Sequence, residues 1–247
     1  MARETGHERL RPVTSLNVAA NAEEAANEAA KRLAEAIREA RARRGAAHVA
    51  LAGGATPRRA YELLARDVRD WAGVEIWFGD ERAVGPDHPD SNYRMVAETL
   101  LAGDPEPPPR VNRIEGERGA EEAADAYEAA LEERLPAKAG TPVLDVALQG
   151  VGPDGHTASL FPGSPALDAA RLCAAVHDAP KPPPERVTLT LRTLRGARQV
   201  LFLVTGAEKA GAVAALFGPP DRNVPASLLA GPRAEVITDR GAAPQER

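Results

Sequence analysis

The sequence contains a single cysteine, few aromatic residues and no long hydrophobic run. Because Cys173 has no second cysteine to pair with, an intrachain disulfide and a cysteine-based zinc site are both excluded. No apolar segment approaches the roughly 20 residues that cross a bilayer, and the charged first residues include no apolar secretory segment. We therefore expect a cytoplasmic protein that does not insert into membranes.

The overall charge is mildly acidic, with a formal net charge of −5. Because a nucleic-acid-binding protein needs a basic face, we expect no nucleic-acid partner. A local group of arginines and lysines is still sufficient to bind a small anion. Hydrophobic residues make up 43% of the chain and aromatic residues only 4%, so alanine, leucine and valine must fill most of the core.

Predicted strands and helices alternate along the chain, which favours one α/β domain over residues 1–247 with loosely ordered ends at about 1–12 and 241–247. Short apolar runs predict strands at 47–52, 74–78, 111–114, 144–149, 173–177, 186–191, 199–204 and 235–238. Helices are predicted at 21–44, 56–68, 91–101, 119–135 and 207–217. Asn21, Thr56 and Ser91 are the expected N-caps. The pattern is typical of a mostly parallel sheet with helices on both faces.

Several predicted strands end in unusual loops, at 53–56, 79–82, 150–156 and 206–209. Ligands of parallel α/β sheets bind beyond the carboxyl ends of the strands. If the sheet is parallel, all four loops lie at one edge, and we expect a small-molecule site there.

The loop at 150–155 fits the G-x-G-x-x-G pattern of dinucleotide-binding folds, and an acid, Asp178, follows at a suitable distance. That pattern should open a long helix, whereas Pro162, Gly163 and Pro165 interrupt the segment early. We therefore expect no dinucleotide cofactor at this loop.

The alternative interpretation is an anion or oxyanion cradle. Glycines such as Gly152 and Gly155 let backbone N–H groups approach a ligand, and a short helix from about Asp154 would direct its positive end there. The unperturbed pKa of histidine, about 6.5, suits His156 for proton transfer near neutrality. A lone histidine can equally be a packing residue of a turn.

Other polar residues of the loops have both a structural and a functional interpretation. Gly53, Gly54 and Thr56 fit a plain turn or a phosphate site. Asp80 and Arg82 belong to a run of three charged residues, which in the structural interpretation is simply exposed to solvent. In the functional interpretation Arg82 binds an anion, and Asp80 orients a base or a sugar hydroxyl.

Three further cationic residues are candidates for binding an anion, and two common catalytic motifs are absent. Lys181 lies in a stiff proline loop, and Arg186 and Lys209 are additional candidates for binding an anion. The absence of G-x-S-x-G and H-E-x-x-H motifs indicates neither a serine nucleophile nor a metal site. Hydrolysis at this site would therefore use water, a general base and backbone donors.

Together these segments resemble the 6-phosphogluconolactonase family, in their order and over about residues 50–240. The segments are GGATP at 53–57, DER at 80–82, SNY at 91–93, GPDGHTASLFPG at 152–163, KPP at 181–183, RVTLT at 186–190 and VTGAEK at 204–209. The resemblance implies a three-layer Rossmann-like fold and hydrolysis of 6-phospho-D-glucono-1,5-lactone to 6-phosphogluconate, the second step of the oxidative pentose phosphate pathway. It also implies no metal and no organic cofactor. We expect a monomer whose partner is the sugar-phosphate lactone.

The resemblance assigns roles to specific residues. The expected catalytic residues are His156 and Asp80; the expected substrate-binding residues are Gly53, Gly54, Thr56, Arg82, Gly152, Asp154, Gly155, Lys181 and Arg186.

Two alternatives stay open: a sugar-phosphate deaminase or isomerase of the same fold, and a non-catalytic sugar-phosphate sensor. Related deaminases continue their histidine block with Ile-Ala-Phe-Asn-Glu-Pro, where this chain has the residues 157–162. The glutamate of that block serves proton transfer at carbon, and no acid stands at the matching position here, which favours the lactonase.

Overall fold

A computed structural model describes residues 14–138 and 141–244. The whole of the expected loose N-terminal end, about residues 1–12, therefore lies outside the described residues, as do residues 245–247. Residues 241–244 form a turn after the last strand.

Twelve strands and six α-helices make up the described chain. The strands are β1 (Ser15–Ala19), β2 (Ala47–Leu51), β3 (Val74–Phe78), β4 (Asp80–Arg82), β5 (Arg110–Val111), β6 (Ala137–Lys138), β7 (Thr141–Pro142), β8 (Val146–Gln149), β9 (Cys173–Val176), β10 (Arg186–Leu189), β11 (Gln199–Val204) and β12 (Ala234–Asp239). The helices are α1 (Ala22–Arg44), α2 (Ala55–Asp67), α3 (Asn92–Thr99), α4 (Ala120–Arg134), α5 (Leu191–Gly196) and α6 (Ala210–Ala215).

Seven strands form one sheet in the order β1-β12-β11-β8-β2-β3-β5, and every neighbouring pair is parallel. All five residues of β2 are buried, because neighbouring elements cover both faces of the central strands. The sequence prediction of an α/β fold with a mostly parallel sheet is confirmed. None of the helices in the described part of the chain is long and apolar enough to cross a membrane.

Helix α1 follows from local sequence signals. Asn21 accepts a hydrogen bond from the Glu24 backbone N–H at 2.9 Å, and Gly45 ends the helix in the left-handed conformation, with φ of 79°. Alanines form much of its buried face, which packs against α2 and the sheet. Asn21 and Ser91 are N-caps as predicted, and Ser91 accepts from the Arg94 N–H.

The prediction for Thr56 as an N-cap is wrong. Helix α2 begins at Ala55, its N-cap is Gly54, and no side chain caps it. Thr56 is already inside the first turn. The first N–H groups of α2 therefore have no side-chain acceptor from the protein.

A small antiparallel sheet, β4-β10-β9, lies beside the main one and differs from the sequence prediction. Residues 79–82 were expected as a loop, but Asp80–Arg82 forms β4 and pairs with β10. The predicted strands at 173–177 and 186–191 belong to this sheet and not to the parallel one. As a result, the segment between β9 and β10, which carries Lys181, lies against the end of the main sheet.

The strand order reverses between β2 and β8. From β2 the chain continues outward to β3 and β5, whereas β8 starts the other half of the sheet. A crevice beyond the carboxyl ends of two such strands is the usual ligand position of open α/β sheets. The loops at 53–54 and 150–156 follow these two strands directly.

Candidate active site

A cavity of about 350 Å³ lies at this reversal point. It is lined by residues of the four loops selected from the sequence and by the β9–β10 segment. The predicted site residues on its wall are Gly53, Gly54, Thr56, Asp80, Arg82, Gly152, His156, Lys181 and Arg186, and Lys209 joins them. Asp154 and Gly155 lie in the same loop as His156 but do not line the cavity.

His156 is oriented by Asp154. The imidazole Nδ1 lies 2.5 Å from Asp154 Oδ1, and the ring packs on Phe161 with 4.6 Å between ring centres. Because an ionised carboxylate only accepts hydrogen bonds, Nδ1 carries the proton in the neutral imidazole. Nε2 forms no hydrogen bond within the described residues, so its lone pair is available to a ligand in the cavity. This is the arrangement of a general base with an orienting acid.

The charge state of Asp154 suits this role. Partial burial acts to raise the pKa of its carboxyl, but the hydrogen bond and positive charge of His156 outweigh burial and lower the pKa below its ordinary value. Asp154 is therefore ionised at neutral pH.

Gly152 makes room for this pair. A Cβ at Gly152 would lie 2.2 Å from the His156 ring and 2.4 Å from Asp154 Oδ1, so no other residue fits without displacing them. The oxyanion interpretation of this glycine needs correction. The Gly152 N–H donates to the His156 carbonyl and the Gly155 N–H donates to the Gly152 carbonyl, both at 2.9 Å.

The predicted short helix at Asp154 is absent, because residues 153–155 form a turn. Backbone donors are found instead at the start of the loop. The N–H groups of Gly150 and Val151, which line the cavity, donate to no acceptor in the described residues. The same is true of Gly53 and Gly54.

Asp80 does not contact His156. Its Oδ2 accepts from Ser159 Oγ at 2.7 Å, and its Oδ1 accepts from Asn92 Nδ2 at 3.2 Å. The carboxylate is buried yet lines the cavity, so it is placed to accept a hydroxyl of a ligand. Asp80 was expected to orient either the imidazole or a sugar hydroxyl. Asp154 orients the imidazole instead.

Arg82 and Arg186 face each other across the β4–β10 pair. Like charges directly opposite destabilise a sheet pair unless an anion or other acceptors compensate. Burial lowers the pKa of the Arg186 guanidinium and the charge of Arg82 lowers it further, while Asp80 acts in the opposite direction. Both side chains reach the cavity wall, which indicates an anion site between them.

The proline segment holds Arg186 in a fixed orientation. Arg186 Nε donates to the Pro183 carbonyl at 2.9 Å and Nη2 donates to the Lys181 carbonyl at 2.8 Å. The guanidinium also lies 5.7 Å from the centre of the Phe161 ring. Its Nη1 makes no hydrogen bond within the described residues. One edge of this guanidinium is therefore open to a ligand.

Lys181 and Lys209 add two amines to the cavity wall, and neither pairs with a carboxylate of the described residues. Together with the uncapped start of α2, they make this side of the cavity positive. Within residues 14–138 and 141–244, no three His, Cys, Asp or Glu side chains are grouped to hold a metal ion.

Glu81, the middle residue of the charge run, is structural. It accepts from the Ser91 hydroxyl and from the backbone N–H groups of Asn92 and Tyr93, at 2.8 to 3.1 Å. Burial raises the pKa of its carboxyl despite these bonds. Glu81 thereby fixes the start of α3 beside the cavity.

The sequence interpretation did not foresee the roles of Asn92, Ser159 and Phe161. Asn92 and Ser159 hold Asp80, and Phe161 separates His156 from Arg186. All three residues are buried, and their only sequence signal is that they lie within the segments SNY and GPDGHTASLFPG.

Comparison with known proteins places the chain in a family. The family model described as glucosamine-6-phosphate isomerases/6-phosphogluconolactonase matches residues 20–238. The chain is 40% identical over 219 residues to a 6-phosphogluconolactonase of Streptomyces coelicolor, covering 83% of this chain and 84% of that protein.

Further similarity extends to a plant protein and to a solved structure. A probable chloroplastic 6-phosphogluconolactonase of Oryza sativa is 38% identical over 81% of this chain, and the match spans 64% of the plant protein. The structure of 6-phosphogluconolactonase from Trypanosoma brucei aligns with a TM-score of 0.80 at 29% identity, covering 94% of this chain and 98% of that one. The chain therefore belongs to the glucosamine-6-phosphate isomerase/6-phosphogluconolactonase family.

Proposed function

We propose that this protein hydrolyses 6-phospho-D-glucono-1,5-lactone to 6-phosphogluconate. The observation that carries the proposal is the Asp154-oriented imidazole of His156 on the wall of a cavity whose other side is cationic. A general base opposite an anion site suits a neutral ester linked to a phosphate. The similar relatives that are named 6-phosphogluconolactonase support the same activity.

The phosphate binds among Arg82, Lys181 and Arg186, near the uncapped start of α2. The free edge of the Arg186 guanidinium donates to phosphate oxygens in the fork geometry that arginine favours. Gly53, Gly54 and Thr56 contribute backbone N–H groups. In this proposal Arg82 and Arg186 lie opposite each other because both bind the phosphate, whose negative charge compensates their repulsion.

In the reaction, His156 Nε2 takes a proton from water, and the resulting hydroxide attacks C1 of the lactone. The N–H groups of Gly150 and Val151 face the developing oxyanion, where one good donor contributes roughly 3 kcal/mol. The bond between C1 and the ring oxygen then breaks, and the imidazolium gives its proton to that oxygen. The new carboxylic acid ionises and releases one proton to the solvent.

Lactone hydrolysis is the better-supported activity than deamination, because the residue that packs on His156 is Phe161 and not an acid. Proton transfer at carbon needs a second acid or base, whereas ester hydrolysis does not. Glucosamine 6-phosphate should therefore release no ammonia with this protein.

The test generates the lactone in situ and follows acid release. We expect release well above the spontaneous rate, in proportion to enzyme concentration. Binding of 6-phosphogluconate without faster release would identify a sugar-phosphate sensor, and ammonia from glucosamine 6-phosphate would identify a deaminase.

We also propose that the protein acts as a monomer in the cytoplasm and binds no nucleic acid. This chain by itself supplies the general base, its orienting acid and the cations of the cavity wall, which supports a monomer. Light scattering of the active protein at assay concentration checks the oligomeric state, and an active dimer would contradict it.

A further inference from the structure

Asn92 joins three elements of the cavity wall, although sequence reasoning gave it no role. Its Nδ2 donates to the Asp80 carbonyl at 2.9 Å and to the Asp80 carboxylate at 3.2 Å. Its backbone N–H donates to Glu81 at 2.8 Å. A Cβ on Gly53 would lie 2.0 Å from Asn92 Oδ1, so the amide packs directly on the loop that opens α2.

Ser159 meets the same carboxylate from the loop of the general base. Its hydroxyl donates to Asp80 Oδ2 at 2.7 Å, and its backbone N–H donates to Thr188 Oγ1 at 3.2 Å. Each Asp80 oxygen thus receives one hydrogen bond from a neutral, fully buried side chain. A capping or packing role alone does not require this convergence of two loops on one carboxylate.

Two neutral donors have a definite chemical effect on Asp80. They fix the plane of the carboxylate, and a carboxylate held in this way can only accept further hydrogen bonds. A group in the cavity that meets Asp80 must therefore be a donor. In a sugar lactone the available donors are the ring hydroxyls.

We infer that Asn92 and Ser159 are positioning residues that hold Asp80 as a fixed acceptor for a ring hydroxyl of the substrate. The inference rests on the proposed function, since it takes the sugar lactone as the ligand. It extends that function by assigning recognition of the sugar to Asp80, separately from recognition of the phosphate by the arginines.

The first test is Asn92→Asp, which keeps the shape of the side chain. When protonated, the new acid can donate to Asp80 as the amide does; when ionised, it repels Asp80. The ratio of variant to wild-type kcat/KM is measured from about pH 5 to about pH 8, so that pH effects common to both proteins do not enter the ratio. Other charged groups near this contact are Glu81 and Arg186, and both remain unchanged.

We expect the ratio to fall by about tenfold or more as the pH rises. A ratio that stays constant over this range overturns the inference, because ionisation of the new acid beside Asp80 would then leave the function of the Asp80 carboxylate unaffected. Thr99→Val is the matched control: Thr99 is a buried α3 residue whose hydroxyl bonds only backbone carbonyls. Its ratio to wild type should be independent of pH.

Ser159→Ala provides a second test in case Asn92→Asp does not fold. 6-Phosphogluconate is the open-chain product, but it keeps the hydroxyls on the sugar carbons that the lactone ring carries. We expect affinity for 6-phosphogluconate to fall about tenfold, while affinity for inorganic phosphate, which has no such hydroxyls, stays within about twofold. An equal loss for both ligands, or no loss, overturns the inference.

The wild-type protein separates the two levels of the proposal. Wild-type protein that neither accelerates hydrolysis nor binds 6-phosphogluconate refutes the proposed function, and this inference with it. The inference alone is refuted if the wild-type protein is active, the kcat/KM ratio of Asn92→Asp to wild type does not change with pH, and Ser159→Ala does not weaken 6-phosphogluconate binding more than phosphate binding.

Discussion

The imidazole Nδ1 of His156 lies 2.5 Å from Oδ1 of Asp154, two residues earlier in the same loop. A contact between residues so close in sequence is set by the local backbone, which Gly155 turns with φ of 80°. The orientation of the general base is thus built into one turn. The rest of the site only has to bring the substrate to it.

Replacing the general base tests this arrangement most directly. His156→Ala should lower kcat by about 10²–10⁴, since no other imidazole lines the cavity within the described residues. Binding of 6-phosphogluconate, measured by calorimetry, should change only severalfold because the cationic wall is intact. Asp154→Asn is the companion variant, with an expected loss smaller than that of His156→Ala. A wild-type kcat in His156→Ala would refute the assignment.

Substitution of Arg186 separates phosphate binding from chemistry. In Arg186→Lys the compact ammonium lacks the planar fork by which separate nitrogens reach the carbonyls of Pro183 and Lys181 on one edge and the phosphate on another. We expect KM for the lactone to rise about tenfold or more, with kcat changed less, and inorganic phosphate to inhibit more weakly. Arg192→Lys is the control, because that exposed arginine bonds one carbonyl away from the cavity. Unchanged KM would remove Arg186 from the phosphate site.

Much of the parallel sheet could be predicted from the sequence because its strands are short apolar runs between helices. β2 and β8 are fully buried, so nearly every residue in them is apolar. β1 was missed because it is an edge strand with Leu16 and Val18 exposed. β4 was missed because its residues are charged and its pairing with β10 is a tertiary contact.

The same distinction holds for the site. His156 and the glycine loops could be predicted because strand ends of a parallel sheet converge. Which acid contacts His156 could not, because Asp80 and Asp154 differ in position and not in residue type. The roles of Asn92 and Ser159 depend on how α3 and the histidine loop pack, which no local pattern specifies.

Gly152 should tolerate no side chain. In Gly152→Ala the added Cβ would lie 2.2 Å from the His156 ring, so the imidazole or the loop must move. We expect kcat to fall about 10²-fold or more, because a displacement of about 1 Å in a catalytic group is sufficient for that loss. Gly211→Ala in α6 is the control, since a Cβ there meets nothing within 4 Å. Equal kcat in the two variants would show that Gly152 is a plain turn residue.

His177, the residue after β9, should couple pH to stability through its contacts with two glutamates. Its ring nitrogens lie 2.8 Å from a carboxylate oxygen of Glu121 and 2.8 Å from one of Glu185. The hydrogen bond to Glu121 has the largest effect on the pKa of His177, and both bonds raise it. A raised pKa in the folded state adds stability below about pH 6.5, the unfolded value, and that stability is lost as the pH rises through the folded pKa.

The free energy of unfolding of wild type and His177→Gln, from denaturant titration, measures this term. Because the contact is largely exposed, the wild type should be more stable by only about 0.2–1 kcal/mol at about pH 5.5, and by nearly nothing at about pH 9. Glu121→Gln removes one of the two carboxylates and should reduce the acid-side difference. A difference of the same size at both pH values would mean that His177 stabilises the chain by packing and not by its charge.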